Sequence, residues 1–470
     1  MVFNSFPFLL LFLPMVVIMN WVLHTRGRPI GSKWFILIAS LVFYMLSSVE
    51  MLPILLGSLA MNWFLAHRIQ RAAPGPLRQR WLILGISLNV ALLVIFKYTH
   101  FIADNMGMLL GWHPDIPVFV LPLGVSFFTI QQIIYLVDCY EEMISPAPLL
   151  EHAVFISFFP YIASGPIVRA GSFLPQLDSG ERPNEQQLAT GLMIFIIGLC
   201  KKVVLADTFG RFADAGFSAA APLGMAEGWI TALSYTFQLY FDFSGYSDMA
   251  VGAGLMLGLS LPENFNSPLK AISIIDFWKR WHITLSNFIT TYLYTPMVRA
   301  MQPITFPKAM LATILAMMIA GIWHGAAWKF LVFGFLHGLC LVVNHLWRKT
   351  KLKLPWPLAW GLTFLFLIAT FAIFRADSWT QVNAVLSSML GVHGFSDSGV
   401  FGGIPLADRT WCYLIMLVGA AITFTAPNSN QLARDFNPSW RWGAASSIAL
   451  ILSLLFLSTG GTTGFIYRGF

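Results

Sequence analysis

The chain has 470 residues, of which 28 are Lys or Arg and 21 are Asp or Glu. Charged side chains therefore make up only 10% of the sequence, against about 25% in an average soluble protein. The hydrophobic fraction is 57%, and aromatic residues reach 15%. Too few charges remain to cover a water-facing surface, so the composition excludes a soluble enzyme and predicts a polytopic membrane protein.

Apolar segments recur along the whole chain, and no long polar stretch separates them into two regions. Spans of about 20 residues with short loops would give on the order of ten to thirteen helices over this length. We therefore expect one all-helical domain over residues 1–470, with about 11 transmembrane helices. The apolar segments lie at residues 6–23, 34–48, 51–66, 81–98, 117–137, 149–167, 188–206, 228–246, 309–323, 328–346, 357–374, 411–426 and 443–459.

The net charge of +7 comes from Lys and Arg that lie between apolar segments rather than along one face or in a tail. This distribution indicates membrane topology and argues against nucleic-acid binding. Basic clusters at 26–33, 68–80, 347–354 and 434–441 predict cytoplasmic loops. The N-terminus, residues 391–409 and the C-terminus should then lie outside.

The middle of the chain departs from simple hydropathy. Residues 155–169 and 241–268 mix apolar side chains with Pro, Gly, Ser and Asp. Broken backbone at membrane depth survives only where protein or a water-filled cavity satisfies its polar groups. We therefore expect re-entrant or interfacial helices around a central funnel, with the amphipathic segment 276–294 near the cytoplasmic face.

His324 stands out among the ionisable residues because its segment, GIWHGAAW, has apolar runs on both sides. An ionisable side chain at that depth is costly and indicates a functional site. The alternative is a neutral histidine that bonds a neighbouring carbonyl in a helix contact. Gly321 and Gly325 bracket His324 and would allow close backbone approach or a helix break.

His282 lies in WKRWHITLS, where Ser286 follows one helical turn later and could bond it. On its own, this segment indicates an interfacial amphipathic residue rather than a catalyst. His337 follows His324 by thirteen residues, which would place the two on different faces of one helix. Because H-E-x-x-H is absent and the four cysteines show no C-x-x-C spacing, we predict neither a metal site nor a disulfide.

Asp242 and Asp248 are carboxylates within the apolar segment FDFSGYSDMA. In a cation-coupled transporter, such groups would bind the ion or proton. Because Ser and Gly residues surround them, we favour helix capping or bonds to exposed backbone amides. A transporter or flippase for a glycan or acyl precursor remains an alternative function, although no internal repeat supports it.

A series of motifs runs in order along most of the chain. They are PLGVSFFTIQQIIYLVD at 122–138, FFPYIASGPIVR at 158–169, FLPQL at 173–177, GLCKKVVLAD at 198–207, YFDFSGYSDMA at 240–250, LPENFNSP at 261–268, DFWKRWHITLS at 276–286, GIWHGAAW at 321–328, FRAD at 374–377 and GFIYRGF at 464–470. The series resembles the membrane-bound O-acyltransferases, specifically their bacterial branch with alginate O-acetylation subunits. In that family the histidine of W-H-G-A-A-W is the principal catalytic residue, which corresponds to His324. The histidine of the R-W-H motif is a second functional position, which corresponds to His282.

The resemblance implies an O-acetyltransferase that takes acetyl from a cytoplasmic thioester, acetyl-CoA, and passes it outward to an exported polysaccharide such as alginate, cellulose or peptidoglycan. Apart from this donor, no cofactor is implied. The expected partners are membrane lipid, a periplasmic SGNH-type acetyltransferase and a polysaccharide synthase or export complex. The expected location is the bacterial inner membrane with both termini periplasmic. Transfer of another acyl group, such as D-alanine from a carrier protein, stays open.

Six further residues are candidates for substrate binding. Lys270, Lys279 and Arg280 would meet phosphates of the donor at the cytoplasmic mouth, although the positive-inside rule alone also explains basic residues there. The other three lie in or beside the two histidine motifs: Trp323, Trp328 and Ser286.

Overall fold

The computed structural model describes residues 1–111, 116–117, 119–395, 398–404, 409–460 and 463–466. Within these residues the chain is helical and no β-strand forms. This confirms the predicted all-helical fold class. Part of the predicted outer stretch 391–409 and the last four residues of the terminal motif 464–470 lie outside the described residues.

Twenty-two α-helices occur in the described ranges, and π-helical turns interrupt the series in four places. The α-helices are α1 Leu13–Thr25, α2 Pro29–Ser48, α3 Leu52–Arg71, α4 Pro76–Leu93, α5 Thr99–Leu110, α6 Val125–Tyr140, α7 Leu149–Ser157, α8 Phe159–Ile162, α9 Ala170–Ser179, α10 Glu185–Cys200, α11 Asp207–Phe217, α12 Met225–Met256, α13 Ile274–Trp278, α14 Ile283–Phe288, α15 Thr295–Ala300, α16 Phe306–His324, α17 Trp328–Lys349, α18 Trp356–Arg375, α19 Trp379–Met389, α20 Arg409–Thr425, α21 Ser429–Arg434 and α22 Trp440–Gly460. The π-helical turns are Phe8–Phe12, Val94–Tyr98, Lys201–Ala206 and Ile289–Tyr294, and short 3-10 turns lie at Val49–Met51 and Pro268–Lys270.

Eight helical stretches of the described chain are long and apolar enough to cross a membrane. This confirms the polytopic membrane protein that the composition predicts. One of the eight, Pro29–Arg71, contains both α2 and α3, whereas the apolar helices Val125–Tyr140 and Thr410–Thr425 are shorter than the others. The predicted number of about 11 spans depends on how these helices are counted, and it stays a prediction.

Contacts between loops show which loops lie at the same end of the helical bundle. At one end, which we name the basic end, Lys33 pairs with Asp178 at 2.6 Å and Arg434 pairs with Glu263 at 2.6 Å. The basic loop 347–354 belongs to the same end, because α18 begins after it and bonds the backbone near Lys270. Three of the predicted cytoplasmic clusters therefore share one end of the molecule.

The opposite end, which we name the far end, contains the N-terminus. The Met1 amino group donates to the Leu46 carbonyl at 2.8 Å, and the Asn4 side chain donates to the Thr463 carbonyl at 3.0 Å. The start of α12 also lies at this end, where the Met225 N–H donates to the Gly394 carbonyl. The N-terminus and the described part of residues 391–409 both lie away from the basic end but are not adjacent, since Phe3 stacks on Tyr246, 21 residues after Met225 in α12. Which of them lies outside the membrane stays a prediction.

Helix α12 runs through the centre of the bundle and is continuous from Met225 to Met256. The predicted break within residues 241–268 is therefore wrong for the first part of that segment. Its glycines pack against α10 instead of ending the helix, since a Cβ on Gly245 would lie 2.7 Å from the Gly198 carbonyl oxygen. Only the part after Met256 is irregular, with the single short turn Pro268–Lys270.

The other predicted irregular segments do consist of short helical pieces. Residues 155–169 contain the end of α7, the single turn of α8 and then non-helical backbone. Residues 276–294 contain the end of α13, the short α14 and a π-helical turn. The second segment carries His282, so the broken backbone positions part of the candidate site.

Candidate active site

His324 is the last residue of α16, and the chain turns back there to begin α17 at Trp328. The helix break that Gly321 and Gly325 would allow is therefore present, and His324 and His337 lie on different helices. Both glycines that bracket His324 are required for the turn: a Cβ on Gly321 would lie 2.3 Å from the Phe330 carbonyl oxygen, and one on Gly325 would lie 2.1 Å from the Phe330 ring. His324 is only 3% exposed.

His282 lies between α13 and α14 with a positive φ of 41°, a left-handed conformation that few non-glycine residues adopt. The residue is fully buried, so the predicted interfacial position is wrong. Its Nδ1 atom lies 3.0 Å from Oδ1 of Asn264. The possible bond to Ser286 does not form, since the Ser286 hydroxyl donates to the Trp281 carbonyl instead.

Asn264 is a member of the site that the sequence analysis missed. Its Oδ1 accepts from the Thr284 hydroxyl at 2.8 Å, and its Nδ2 donates to the Ser247 hydroxyl at 3.2 Å. These partners fix the amide orientation, because each of its polar atoms meets a group of the complementary kind. Its position within the motif LPENFNSP was the available signal.

Trp323 brings the two histidines together. The centroid of its ring lies 5.1 Å from the His324 ring and 6.4 Å from the His282 ring. Phe127 packs against the same indole at 5.4 Å and against His282 at 6.5 Å. The predicted catalytic histidines, separated by more than forty residues in sequence, therefore meet around one half-buried tryptophan.

The second ring nitrogen of His282 is a chemically available atom. No described residue hydrogen-bonds its Nε2, although the ring is fully buried. Burial lowers the pKa of His282 to about 3, so the ring is neutral near pH 7. A neutral imidazole whose Nδ1 donates to Asn264 presents a lone pair at Nε2.

Two cavities flank this histidine pair. The first, which we name the far-end cavity, has a volume of about 570 Å³ and is lined by residues that include Lys97, Asp214, Gly325 and Arg375. It starts directly after His324, and Phe374 on its wall contacts the His324 ring at 5.3 Å. Asp214 and Arg375 pair with each other at 2.8 Å.

The second, which we name the basic-end cavity, has a volume of about 530 Å³. Ala316 and Met317 line it from α16, about two turns before His324, and His345 lines it from α17. Lys279 and Ser286, two of the predicted substrate-binding residues, also line this cavity. The histidine pair thus lies between a cavity towards each end of the bundle.

The other predicted substrate-binding residues have different surroundings. Lys270 donates to the Ala426 carbonyl at 3.0 Å, and Arg280 pairs with Asp276 at 2.8 Å. The indole of Trp328 donates to the Asn105 side chain at 2.9 Å. None of these three is among the residues that line either cavity, whereas Trp323 lies between the histidines.

His337 occupies a structural position beside the site. Its Nδ1 accepts from the Trp278 indole at 3.3 Å, and its Nε2 lies 3.1 Å from the Thr370 hydroxyl. Both ring nitrogens therefore have partners. Among the described residues, no group of three or more His, Cys, Asp or Glu side chains could hold a metal ion, and the four cysteines are free.

The two carboxylates of α12 form ion pairs with consecutive lysines of a π-helical turn. Asp242 pairs with Lys202 at 2.8 Å, and Asp248 pairs with Lys201 at 2.6 Å. Asp242 also accepts the backbone N–H of Ile466, as the predicted amide-bonding role requires. Asp248 instead accepts from the Ser429 hydroxyl, and neither residue caps a broken helix.

Comparison with known proteins gives a consistent result. The sequence profile of the membrane-bound O-acyltransferase family matches residues 9–374, which include both histidines. The chain is similar to the peptidoglycan O-acetyltransferase of Helicobacter pylori, with 37% identity over 100% of this chain and 98% of the relative. It is also similar to the probable alginate O-acetylase AlgI of Pseudomonas aeruginosa, with 36% identity over 93% of this chain and 86% of the relative. The teichoic acid D-alanyltransferase of Bacillus subtilis is 29% identical over 53% of this chain and 65% of that protein.

Proposed function

Because the chain belongs to the membrane-bound O-acyltransferase family, we propose that it passes acetyl from cytoplasmic acetyl-CoA across the inner membrane for O-acetylation of an exported polysaccharide. The protein is a membrane acyltransferase. Its acyl donor, the direction of acetyl transfer and the class of acceptor are proposed here. The observation that carries it is the pair His282 and His324 around Trp323, buried between two cavities.

His324 would act as the general base. Thioester carbonyls are reactive enough that catalysis needs mainly a base for the attacking hydroxyl and a site that excludes water. A neutral imidazole can accept the hydroxyl proton and return it to the departing thiolate. The position of His324 at the inner limit of the far-end cavity supports this role, since an acceptor in that cavity would reach it.

His282 would position the donor or the acceptor. Its Nδ1 is held by Asn264 and its Nε2 is unbonded among the described residues, so the ring presents one acceptor atom in a fixed direction. Its ring lies 6.4 Å from that of Trp323, and His282 is not among the residues that line either cavity, which supports a positioning role beside His324. We expect its loss to reduce the rate less than the loss of His324.

The two cavities support access from opposite compartments. The basic end would face the cytoplasm by the positive-inside rule, so the cavity lined by Lys279 and Ser286 would admit the donor. Lys279 is then the predicted phosphate-binding residue that the geometry favours over Lys270 and Arg280. The far-end cavity would face the periplasm, together with both termini.

We propose that a second protein completes the reaction outside. We expect the outward-facing loops and helix ends to offer too small a surface to hold a long polymer in register. A periplasmic SGNH-type acetyltransferase would receive the acetyl group, beside a polysaccharide synthase or export complex and membrane lipid. The names of the relatives favour peptidoglycan or alginate as the glycan; cellulose is a further candidate.

The transporter alternative is weakened by the carboxylates on which it depended. Asp242 and Asp248 each have a lysine partner within 2.8 Å. Coupling groups must exchange their ion or proton, whereas these carboxylates are neutralised inside the protein. D-alanyl transfer gains support from relatives that align with about half of the chain.

The test uses proteoliposomes with radiolabelled acetyl-CoA inside, glycan strands of peptidoglycan or alginate outside, and the purified partner present or absent. Wild-type protein should transfer label outward with the partner, and His324→Ala should reduce the rate about 10² to 10⁴-fold. His24→Ala is the matched control, because His24 bonds the Asn20 carbonyl within its own helix and lines neither cavity. Label transfer by His324→Ala at the wild-type rate would refute the catalytic assignment.

A further inference from the structure

A lysine in a membrane helix contacts the end of α16 beside His324. Lys97 belongs to the helical stretch Pro76–Leu110, which is apolar enough to cross a membrane. An ionisable side chain in such a stretch is costly and indicates a function. The described structure gives Lys97 no carboxylate partner, whereas the interior Lys201 pairs with one carboxylate and Lys202 with two.

The backbone around Lys97 is specialised. Residues Val94–Tyr98 form a π-helical turn between α4 and α5. Such turns insert one residue into a helix and change the direction of its side chains, and they are frequent at functional sites. As a result Lys97 and Tyr98 both reach α16, where the Tyr98 hydroxyl donates to the Ile322 carbonyl at 2.7 Å.

Two of the three N–H donors of Lys97 have identified partners. Its Nζ donates to the Trp323 carbonyl at 2.6 Å and to the Ser126 hydroxyl at 3.1 Å. The Trp323 carbonyl belongs to the residue directly before His324, so the ammonium is fixed next to the candidate base. A positive charge at a helix C-terminus is also favourable for the helix dipole.

The third N–H has no hydrogen-bond partner among the described residues, and the ammonium lies 5.8 Å from the centroid of the Trp323 ring. Lys97 also lines the far-end cavity, together with Gly325, which directly follows His324. The remaining donor is therefore available at the inner limit of the far-end cavity, where the acetyl carbonyl of a donor bound from the basic-end cavity would meet the acceptor beside His324. An ammonium with two bonded N–H groups has little freedom to turn away, so this donor is preorganised.

On the basis of the function proposed above, we propose that Lys97 is a catalytic residue that stabilises the negative charge on the carbonyl oxygen of the acyl donor. When the acceptor oxygen attacks the thioester carbon, its proton passes to His324 and the carbonyl oxygen becomes an oxyanion. The third N–H of Lys97 bonds that oxyanion. Collapse re-forms the carbonyl, the carbon–sulfur bond breaks, and the thiolate takes the proton back from His324.

The experiment compares purified full-length variants in proteoliposomes with acetyl-CoA as donor. The readouts are release of free CoA thiol in the presence of the partner and glycan, binding of S-acetonyl-CoA, which keeps the carbonyl but has no cleavable thioester, and thermal stability. Lys97→Met should lower kcat about 10² to 10³-fold, as loss of an oxyanion donor does. Binding of S-acetonyl-CoA should change less than about threefold, because the charge develops only in the transition state.

Lys308→Met is the matched control. Lys308 lies on the same helix, α16, and also donates to backbone carbonyls, those of Gln302 and Pro303, but it lines neither cavity. Its kcat should equal that of the wild type. Lys97→Gln serves where the Met variant is unstable, since its amide can still bond the Trp323 carbonyl while the charge is lost.

The outcomes separate this proposal from the proposed function. No thiol release by the wild type would reject the function itself. With an active wild type and an inactive His324→Ala protein, a folded Lys97→Met variant with kcat within threefold of wild type would overturn the role of Lys97. Where only Lys97→Gln folds, kcat within threefold of wild type would overturn the requirement for the positive charge, since the Gln amide keeps an N–H donor. Loss confined to KM or to analogue binding, or failure of both Lys97 variants to fold, would assign Lys97 to structure alone.

Discussion

Nδ1 of His282 lies 3.0 Å from Oδ1 of Asn264, and this contact fixes the tautomer of a buried histidine. The amide oxygen can only accept, so the proton of the neutral imidazole is on Nδ1 and the lone pair is on Nε2. The Thr284 hydroxyl donates to the same oxygen, which keeps the amide from rotating. A side chain eighteen residues away in sequence thus determines which nitrogen of His282 carries the lone pair.

We predict that Asn264→Leu reduces acetyl transfer more than it reduces stability. The substitution leaves Nδ1 of His282 without its acceptor, at a cost of about 1–3 kcal/mol for an unsatisfied buried group, and it frees the ring to change tautomer. Asn264→Asp keeps an acceptor oxygen at the same place and should retain more activity. Acetyl transfer and thermal stability of both variants would be measured together; equal activity of the two would show that the tautomer is irrelevant.

The turn between α16 and α17 should tolerate no side chain at Gly321. An added Cβ would lie 2.3 Å from the Phe330 carbonyl oxygen and 2.9 Å from Gly334. We expect Gly321→Ala to destabilise the protein by about 1–3 kcal/mol, as overpacking does, and to displace His324. Thermal melting in detergent would detect the change.

Gly361→Ala is the control for that experiment. Gly361 lies in α18, which is also apolar, and a Cβ added at this position would meet no atom within 4 Å. The exchange should leave stability unchanged or raise it by up to about 1 kcal/mol through helix propensity. A Gly321→Ala protein as stable as Gly361→Ala would contradict the tight packing of the turn.

Lys201, in the turn after α10, and Asp248, in α12, should stabilise the protein only when both are present. Asp248→Leu alone leaves a lysine in the interior, and removing one partner of a buried pair costs about 3 kcal/mol or more. The double variant Lys201→Met with Asp248→Leu should recover most of this loss, because no unpaired charge remains. Thermal unfolding of the single and double variants gives the coupling free energy between the two residues. If the stability losses of the single variants simply add in the double variant, the two charges do not interact.

Cysteine labelling can test the proposed orientation. Leu352 and Leu390 are 64% and 82% exposed and lie at opposite ends of the molecule. On a background without the four native cysteines, Leu390→Cys should react with an impermeant maleimide in cells with a permeabilised outer membrane, and Leu352→Cys should not. The reverse pattern would invert the topology.

The sequence predicted the fold class and the principal histidine because each depends on a local signal. A charge fraction of 10% requires membrane helices, and His324 is conspicuous between apolar runs. The partners of these residues were not predictable, because they depend on packing between distant helices. The sequence indicates no partner for Asp242 or Asp248. In the structure, the turn after α10 places Lys202 beside Asp242 and Lys201 beside Asp248.

Two site residues show the limit of hydropathy analysis. Lys97 lies inside the predicted apolar segment 81–98, where a single lysine changes the mean very little. The position of Lys97 depends on the π-helical turn Val94–Tyr98 and on contact with the end of α16. Neither feature produces a periodic pattern in the sequence. For Asn264, the motif LPENFNSP contained the residue, but only the left-handed backbone at His282 brings the amide and the imidazole into contact.

The separation of the two cavities by Trp323 and its neighbours has an electrical consequence. Met317 lines one cavity and Gly325 lines the other, and eight residues of helix span only about 12 Å. Most of the transmembrane voltage would therefore fall across this thin aromatic partition, provided that water fills both cavities. An acetyl group carries no charge, so it can be handed across the partition without work against that voltage, while protons and ions meet a layer of buried rings. Under the proposed function, the enzyme would connect two compartments chemically and still insulate them from each other.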